Sequence, residues 1–391
     1  MNKVIPFSSC YLILTEDCNL RCKYCYESTN RCSNNYMSFD TAKKAADLSF
    51  DNALKFGMKK LSWIFFGGEP LLNLDVMIKF FHYVRDKAKE NNIKLNFSIT
   101  TNGTIYNKEF EEFILEWYKA TKQVSIIISI DGIPEVQDKN RATVNGKPTS
   151  GIILENILKL KKFFEKNQIK FSSLRTHSVV TKDTVSNLFS SYKYLKELGI
   201  NETRFEISHE EDWNENDIST YTEQLSLISD YVYNECIMSA LLDPYRNMGT
   251  LFGEIGKKTC EAGKLLCAIA PNGDIYPCTR AYFSSRNLIL GNVHNGFIDN
   301  NKRKLFFDSF RDNMHVGNIS CGKCDNSVCK ICKIYNYEKY NDFLKCNPLV
   351  CSMYKAKSNF VIETKKKFNK LTYKLDYKKC NEMTFFNTRN L

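Results

Sequence analysis

Cysteines 18, 22 and 25 stand on one short stretch of the chain, separated by three residues and then by two. They follow an apolar run, Tyr11 to Leu14, that reads as a strand. Three thiolates on one loop can hold three irons of a 4Fe–4S cluster. The fourth iron then lacks a protein ligand and is open to a small molecule. An open position on a metal centre points to chemistry rather than to structural support. Two other uses of the triplet are weaker. A disulfide framework is disfavoured because no secretory signal precedes it and 391 residues can bury a core without staples. A zinc site needs a fourth ligand, and no His follows at finger spacing.

Further along, an apolar run from Leu61 to Phe66 ends in Gly67, Gly68, Glu69 and Pro70. The glycines let the backbone approach a ligand, and Glu69 offers a carboxylate acceptor. By itself this stretch reads as a turn after a strand. Thr100, Thr101, Asn102 and Gly103 close the next strand, and Ser129, Ile130, Asp131 and Gly132 close the one after. Arg141 follows in a polar segment, where an exposed surface ion pair is the plainer reading.

Together these residues resemble the signature of radical S-adenosylmethionine (SAM) enzymes. Cys18, Cys22 and Cys25, with aromatic Tyr24 before the last Cys, match that family's cluster motif, and Gly67-Gly68-Glu69-Pro70 matches its SAM-amino-group motif. The resemblance implies that the open iron chelates SAM, and that reductive cleavage gives methionine and a 5′-deoxyadenosyl radical that abstracts a substrate hydrogen. It places Tyr24 near the adenine, Gly67 to Pro70 at the amino group, Thr101 and Asn102 nearby, Ser129 at the ribose or adjacent polar groups, and Arg141 at the carboxylate. A guanidinium fork suits that last partner. Gln137 stands where the family often has His, and Asp131 is expected to fix its turn.

Alternating helical and strand patterns must position these groups. Helices are expected at about 39–56, 73–91, 107–120, 151–167 and 183–198, with Ser38 as N-cap of the first. Strands are expected at 61–66, 95–100, 124–130, 170–180 and 203–208, and a long helix at about 216–242. Strands spaced by helices argue for an α/β fold with a parallel sheet, here a partial (β/α)6 TIM-like barrel open on one side. Ligands gather at the carboxyl ends of such strands, and every motif above falls at one. His177, Glu206 and His209 lie on or after the late strands and could face substrate, although a core histidine is the plainer reading.

A second cysteine-rich region follows. Cys260 and Cys267 precede an Asn272-Gly273 hairpin signal that would bring Cys278 toward Cys260. Cys321, Cys324, Cys329 and Cys332 come next, then Cys346 and Cys351. Paired cysteines alone read equally as a zinc ribbon or an iron–sulfur site. In order, the set resembles the SPASM extension of radical SAM enzymes, which carries two auxiliary 4Fe–4S clusters. The resemblance assigns Cys260, Cys278 and Cys332 to the first, with Cys267 as its fourth ligand, and Cys321, Cys324, Cys329 and Cys351 to the second. Two gaps in the four-Cys run are one residue shorter than the family's usual spacing. Domains are therefore expected at 1–250 (partial barrel), 251–355 (small cysteine-rich SPASM domain) and 356–391 (basic C-terminal tail). Cys10 and Cys32 read as bystanders.

Sixteen cysteines lie in two clusters, with none between Cys32 and Cys236, which suggests metal at two places. No apolar run approaches the roughly 20 residues of a membrane span, so a cytoplasmic protein is expected. The net charge of +11 comes with no nucleic-acid-binding module. Ten Lys or Arg against three acids from Ser352 onward concentrate that charge in the tail.

Members of the family with this extension mostly act on peptides. The resemblance thus implies a peptide maturase forming a thioether or C–C crosslink, with a reductant such as flavodoxin or ferredoxin. With about ten residues ahead of the first strand, leader-peptide binding is expected to fall to a separate partner or to the barrel surface. The alternative is anaerobic sulfatase maturation, converting Cys or Ser to formylglycine. In that branch a basic Asp follows the hairpin Cys; here Thr279 stands there, and threonine is no carboxylate base. A non-enzymatic iron–sulfur electron-transfer or binding protein would carry clusters without cleaving SAM.

Overall fold

A computed structural model describes residues 7–28, 32–170, 173–200, 202–238, 260–309, 315–316, 319–320 and 331–372. Six strands, β1 (Ser9–Thr15), β2 (Lys60–Gly67), β3 (Lys94–Thr101), β4 (Ile126–Ser129), β5 (Leu174–Val180) and β6 (Thr203–Ile207), pair in sequence order and in parallel. Helices separate them: α1 (Phe39–Phe56), α2 (Leu74–Asn91), α3 (Lys108–Thr121), α4 (Pro134–Asn140), α5 (Ser150–Lys166) and α6 (Leu188–Glu197), with α7 (Glu215–Met238) after β6. Among the described residues β6 pairs only with β5, so the sheet does not close. The expected partial barrel is the observed architecture.

Local chemistry accounts for the element ends. Ser38 caps α1, accepting a hydrogen bond from Thr41 N at 3.1 Å, and Gly57 ends the helix at φ 67°. The expected helix at 183–198 begins instead as a 3-10 turn, Lys182–Asn187, capped by Thr181 and Thr184. The run 124–130 yields a strand of only four residues, Ile126–Ser129.

Strand period two sorts the side chains. Leu61, Trp63 and Phe65 of β2, Phe97 and Ile99 of β3, and Ile126 and Ile128 of β4 are buried beneath the helices. There they join Phe80, Phe81, Phe113 and Trp117 in edge-on and stacked aromatic contacts. The alternate set, including Ile64, Phe66, Ser98, Thr100, Ser129, His177, Arg204 and Glu206, faces the concave side.

The second cysteine region extends the same sheet. β7 (Leu266–Ile269) lies parallel to β1 on its free edge. β8 (Asp274–Tyr276), β9 (Gly291–Asn292) and β10 (Phe297–Ile298) then add antiparallel strands. The Asn272-Gly273 turn joins β7 to β8, with Gly273 at φ +86°. Short helices α8 (Thr279–Ser284), α9 (Asn300–Ser309) and α10 (Lys333–Tyr340) follow, and α11 (Pro348–Thr372) packs along α7. The helix α11 runs through residue 356. The stretch 239–259 and the tail beyond Thr372 lie outside the described residues. No described helix is long and apolar enough to cross a membrane.

Phe65 is fully buried among Phe80, Phe97 and Phe113. Phe65→Ala should lower unfolding free energy by about 3–5 kcal/mol in a denaturant titration. A loss below about 1 kcal/mol would contradict this packing.

Candidate active site

The loop carrying Cys18, Cys22 and Cys25 leaves β1 and lies across the carboxyl ends of the strands. Its backbone is tied to the segment after α4: Arg21 N donates to Ala142 O at 2.8 Å and Lys23 N to Asn140 O at 2.9 Å. On the other side, Gly68 N donates to Thr15 O and Glu69 N to Asp17 O. A Cβ on Gly67 would stand 2.2 Å from Thr15 O, and one on Gly68 2.2 Å from Asp17 O. The glycines therefore serve first to seat this turn against the cysteine loop. At the base of the loop, Glu16 is fully buried and accepts from Cys32 N, Asn35 Nδ2, Arg286 and the Tyr282 hydroxyl.

Glu69 is also fully buried. Its carboxylate accepts from Leu71 N at 3.0 Å, Thr101 Oγ1 at 2.8 Å and Asn102 N at 2.7 Å, joining the ends of β2 and β3. Burial pushes its pKa up to about 7 despite these donors. Asn102 Nδ2 reaches Asn19 Oδ1 at 2.8 Å and Cys18 Sγ at 3.8 Å. Pro70 opens a 3-10 turn, Pro70–Asn73, capped by Glu69. Ser129 ends β4 beside His177 on β5.

Asp131 joins the other rim. It accepts from the Tyr24 hydroxyl at 2.6 Å, Val179 N at 2.9 Å and Asn140 Nδ2 at 3.1 Å, and pairs with Arg141 at 3.0 Å. Arg141 also lies 5.1 Å from the centre of the Tyr24 ring. Arg141 is thus buried, not a surface ion pair, and its Nε has no hydrogen-bond partner among the described residues. Gln137, in the position often held by His in the family, accepts from Asp131 N and donates to Thr149 Oγ1. Burial pushes the Cys22 thiol up to about 11, opposed by Arg141.

The later cysteines divide. Cys260, Cys278 and Cys332 interact electrostatically, and burial raises the pKa of each. Cys278 and Cys332 are the N-caps of α8 and α10, where backbone N–H groups favour a thiolate. Cys267 is not with them. It lies in register with Cys10 across β1 and β7, fully buried, its thiol 3.4 Å from that of Cys10. The structure thus parts it from the group it was expected to complete, because strand pairing turns it into the core behind the sheet. Cys346 is buried, and its thiol lowers the pKa of Cys351 by hydrogen bonding. Cys321, Cys324 and Cys329 lie outside the described residues.

The two cysteine regions touch. The Tyr26 hydroxyl is 3.3 Å from Thr279 Oγ1, and Arg280 lies 5.1 Å from the ring centres of Tyr26 and Tyr335 while pairing with Glu210 and Glu338. Among the described residues no three His, Cys, Asp or Glu groups converge on a single-ion position. A four-iron cube spreads its thiolates more widely than one ion does, and Cys18, Cys22 and Cys25 could hold three of its corners. The open Nε of Arg141 and the Glu69 carboxylate could receive the two charged ends of an amino acid. The donor set therefore fits a cluster with a SAM-like ligand. Sequence reasoning missed Glu16 and Asn19 as organising residues and gave Asp131 only the fixing of its turn. Their partners are distant along the chain, and only the placement of Asp131 at a strand end hinted at a role.

Residues 12–176 match the model of the radical SAM superfamily, whose enzymes use a 4Fe–4S cluster and SAM. An uncharacterized protein of Methanocaldococcus jannaschii is 35% identical over 198 residues, 50% of this chain and 61% of that protein, so the chain spans less than two thirds of that relative. A cysteine-type anaerobic sulfatase-maturating enzyme of Clostridium novyi is 26% identical over 338 residues, 82% of this chain and 83% of that enzyme. The solved structure of anSMEcpe with bound AdoMet and Kp18Cys peptide superposes with a TM-score of 0.71 at 22% identity, over 92% of this chain and 98% of that one. This last likeness is one of fold.

Asp131→Asn should destabilise the protein by about 3–5 kcal/mol, because it strands a buried guanidinium. The double variant Asp131→Asn/Arg141→Met, which removes the stranded guanidinium and keeps an amide oxygen for the donors of Tyr24 and Val179, should recover most of that loss in the same denaturant titration. Equal losses in both would show that the ion pair is not the cause.

Proposed function

We propose, from the premise that the chain is an enzyme of the radical SAM superfamily, that it oxidatively modifies a peptide. The observation that carries this reading is the meeting of two cysteine groups at one end of the hollow through Tyr26 and Thr279. When bound, the cluster and SAM supply a 5′-deoxyadenosyl radical that takes a hydrogen atom from a peptide side chain or α-carbon.

Cys18, Cys22 and Cys25 would hold that cluster. Glu69 and the Gly67–Pro70 turn would hold the SAM ammonium, Arg141 its carboxylate, and Tyr24, Thr101, Asn102 and Ser129 the remainder. Closing a thioether or C–C bond removes a second hydrogen, which leaves as a proton and an electron. Cys260, Cys278 and Cys332 would hold a cluster able to accept that electron. Cys321, Cys324, Cys329 and Cys351 would hold a further centre. A flavodoxin or ferredoxin would deliver the first electron, and a separate protein could present the leader peptide. On this reading the barrel spans 1–250 and the auxiliary-cluster region runs from 251 into α11.

Sulfatase maturation is the second reading, favoured by the extent of the match to the Clostridium novyi enzyme. Against it stands Thr279, which follows Cys278 and whose hydroxyl lies against Tyr26. A threonine cannot take a proton as a carboxylate does.

The test is anaerobic reconstitution of the wild type and of Cys18→Ala/Cys22→Ala/Cys25→Ala, followed by dithionite and SAM. The wild type should form 5′-deoxyadenosine and the variant none. The variant should keep about eight irons if two further 4Fe–4S centres are filled. A fully iron-loaded wild type that forms no 5′-deoxyadenosine would refute the enzymatic reading. Cys-containing sulfatase peptides converted to formylglycine would favour the second reading over the first.

A further inference from the structure

The hollow is chemically uneven. On β1 and β2 its wall is Tyr11, Ile64 and Phe66; on β3 and β4 it carries Ser98, Thr100 and Ser129; on β5 and β6 it carries His177, Arg204 and Glu206. Strand register sets Ser129, His177 and Arg204 side by side across β4, β5 and β6, level with the carboxyl end of β4.

Arg204 differs from the other described arginines. Arg141 pairs with Asp131, Arg175 with Glu202, Arg280 with Glu210 and Glu338, Arg286 with Glu16, and Arg85 with Asp86. Arg21 and Arg303 donate to backbone carbonyls. Arg204 is exposed between buried Thr203 and Phe205 and makes no hydrogen bond or ion pair among the described residues. The nearby carboxylate does not neutralise it fully, because Glu206 is already taken by buried Lys357 at 3.1 Å. His177 adds no second positive charge: burial holds its pKa down to about 4, so it is a neutral imidazole near pH 7. Across the hollow, Tyr11 interacts electrostatically with Arg204 and also with Cys278 and Cys260.

We propose that Arg204 anchors the substrate by pairing with a carboxylate of the peptide, so that the enzyme selects peptides bearing one. A guanidinium fork with free N–H groups in a partly enclosed hollow is suited to a bidentate carboxylate. The carboxylate belongs to an acidic side chain or to the peptide's C-terminus. This inference rests on the peptide reading above and specifies its substrate class.

The test uses reconstituted, SAM-loaded wild type, Arg204→Gln and Arg204→Lys. Each is equilibrated with synthetic pools of acetylated Cys-containing heptapeptides, and bound peptide is identified by mass spectrometry after ultrafiltration. Four pools are compared: neutral or with one Asp, each ending in an amide or a free carboxylate. Wild type should retain carboxylate-bearing peptides roughly tenfold over the neutral amides, the factor that corresponds to one such pairing. The Asp-amide and neutral-carboxylate pools tell the two carboxylate sources apart. Arg204→Gln should lose the preference and Arg204→Lys should keep most of it. Equal retention of all pools by wild type, or an unchanged preference in Arg204→Gln, would overturn the proposal and leave the peptide reading standing. Wild type that retains no peptide from any pool would overturn both.

Discussion

The buried pair of Asp131 and Arg141 is the constraint on which the site depends. A carboxylate and a guanidinium taken out of water are costly unless their remaining donors and acceptors are met. Asp131 meets them by accepting also from the Tyr24 hydroxyl, Val179 N and Asn140. One side chain thereby ties the cysteine loop to the end of β4, to β5 and to the segment after α4. Glu69 does the same on the opposite rim, tying β2 to β3, while the backbone of its turn holds the start of the loop. The loop is thus fastened at both rims before any ligand is considered. Such fastening is what a site needs if it is to hold reactive groups in a fixed geometry.

Much of this was legible beforehand because local signals and tertiary placement agree. The apolar runs before Cys18, Gly67, Thr101 and Asp131 all became strands, and each motif fell at a carboxyl end. Ser38 capped its helix because a hydroxyl beside a helical pattern has one ready use. The misses have a common origin in contacts between residues distant in the chain. Cys267 looked like a ligand from its company in the sequence, yet pairing of β7 with β1 set it against Cys10. Asp131 looked like a turn residue, but its partners include Tyr24, more than a hundred residues earlier. Gly67 and Gly68 have a second use that sequence alone does not show, clearing the backbone oxygens of Thr15 and Asp17.

The second cysteine region is continuous with the barrel rather than appended to it. β7 extends the sheet from the edge of β1, and Tyr282 and Arg286 reach back to the buried Glu16 at the base of the cysteine loop. α11 returns along α7 and sends Lys357 to Glu206 on β6. The later residues therefore brace both ends of the open sheet. The Tyr26–Thr279 contact joins the cysteine loop to α8, which Cys278 caps.

The central claim is that Cys18, Cys22 and Cys25 hold a 4Fe–4S cluster whose fourth iron binds SAM. Low-temperature electron paramagnetic resonance of the reduced, reconstituted protein tests it most directly, recorded with and without SAM. A reduced-cluster signal should change when SAM is added and should be missing from Cys18→Ala/Cys22→Ala/Cys25→Ala. A wild-type spectrum indifferent to SAM, or the same SAM-sensitive signal in the variant, would contradict it.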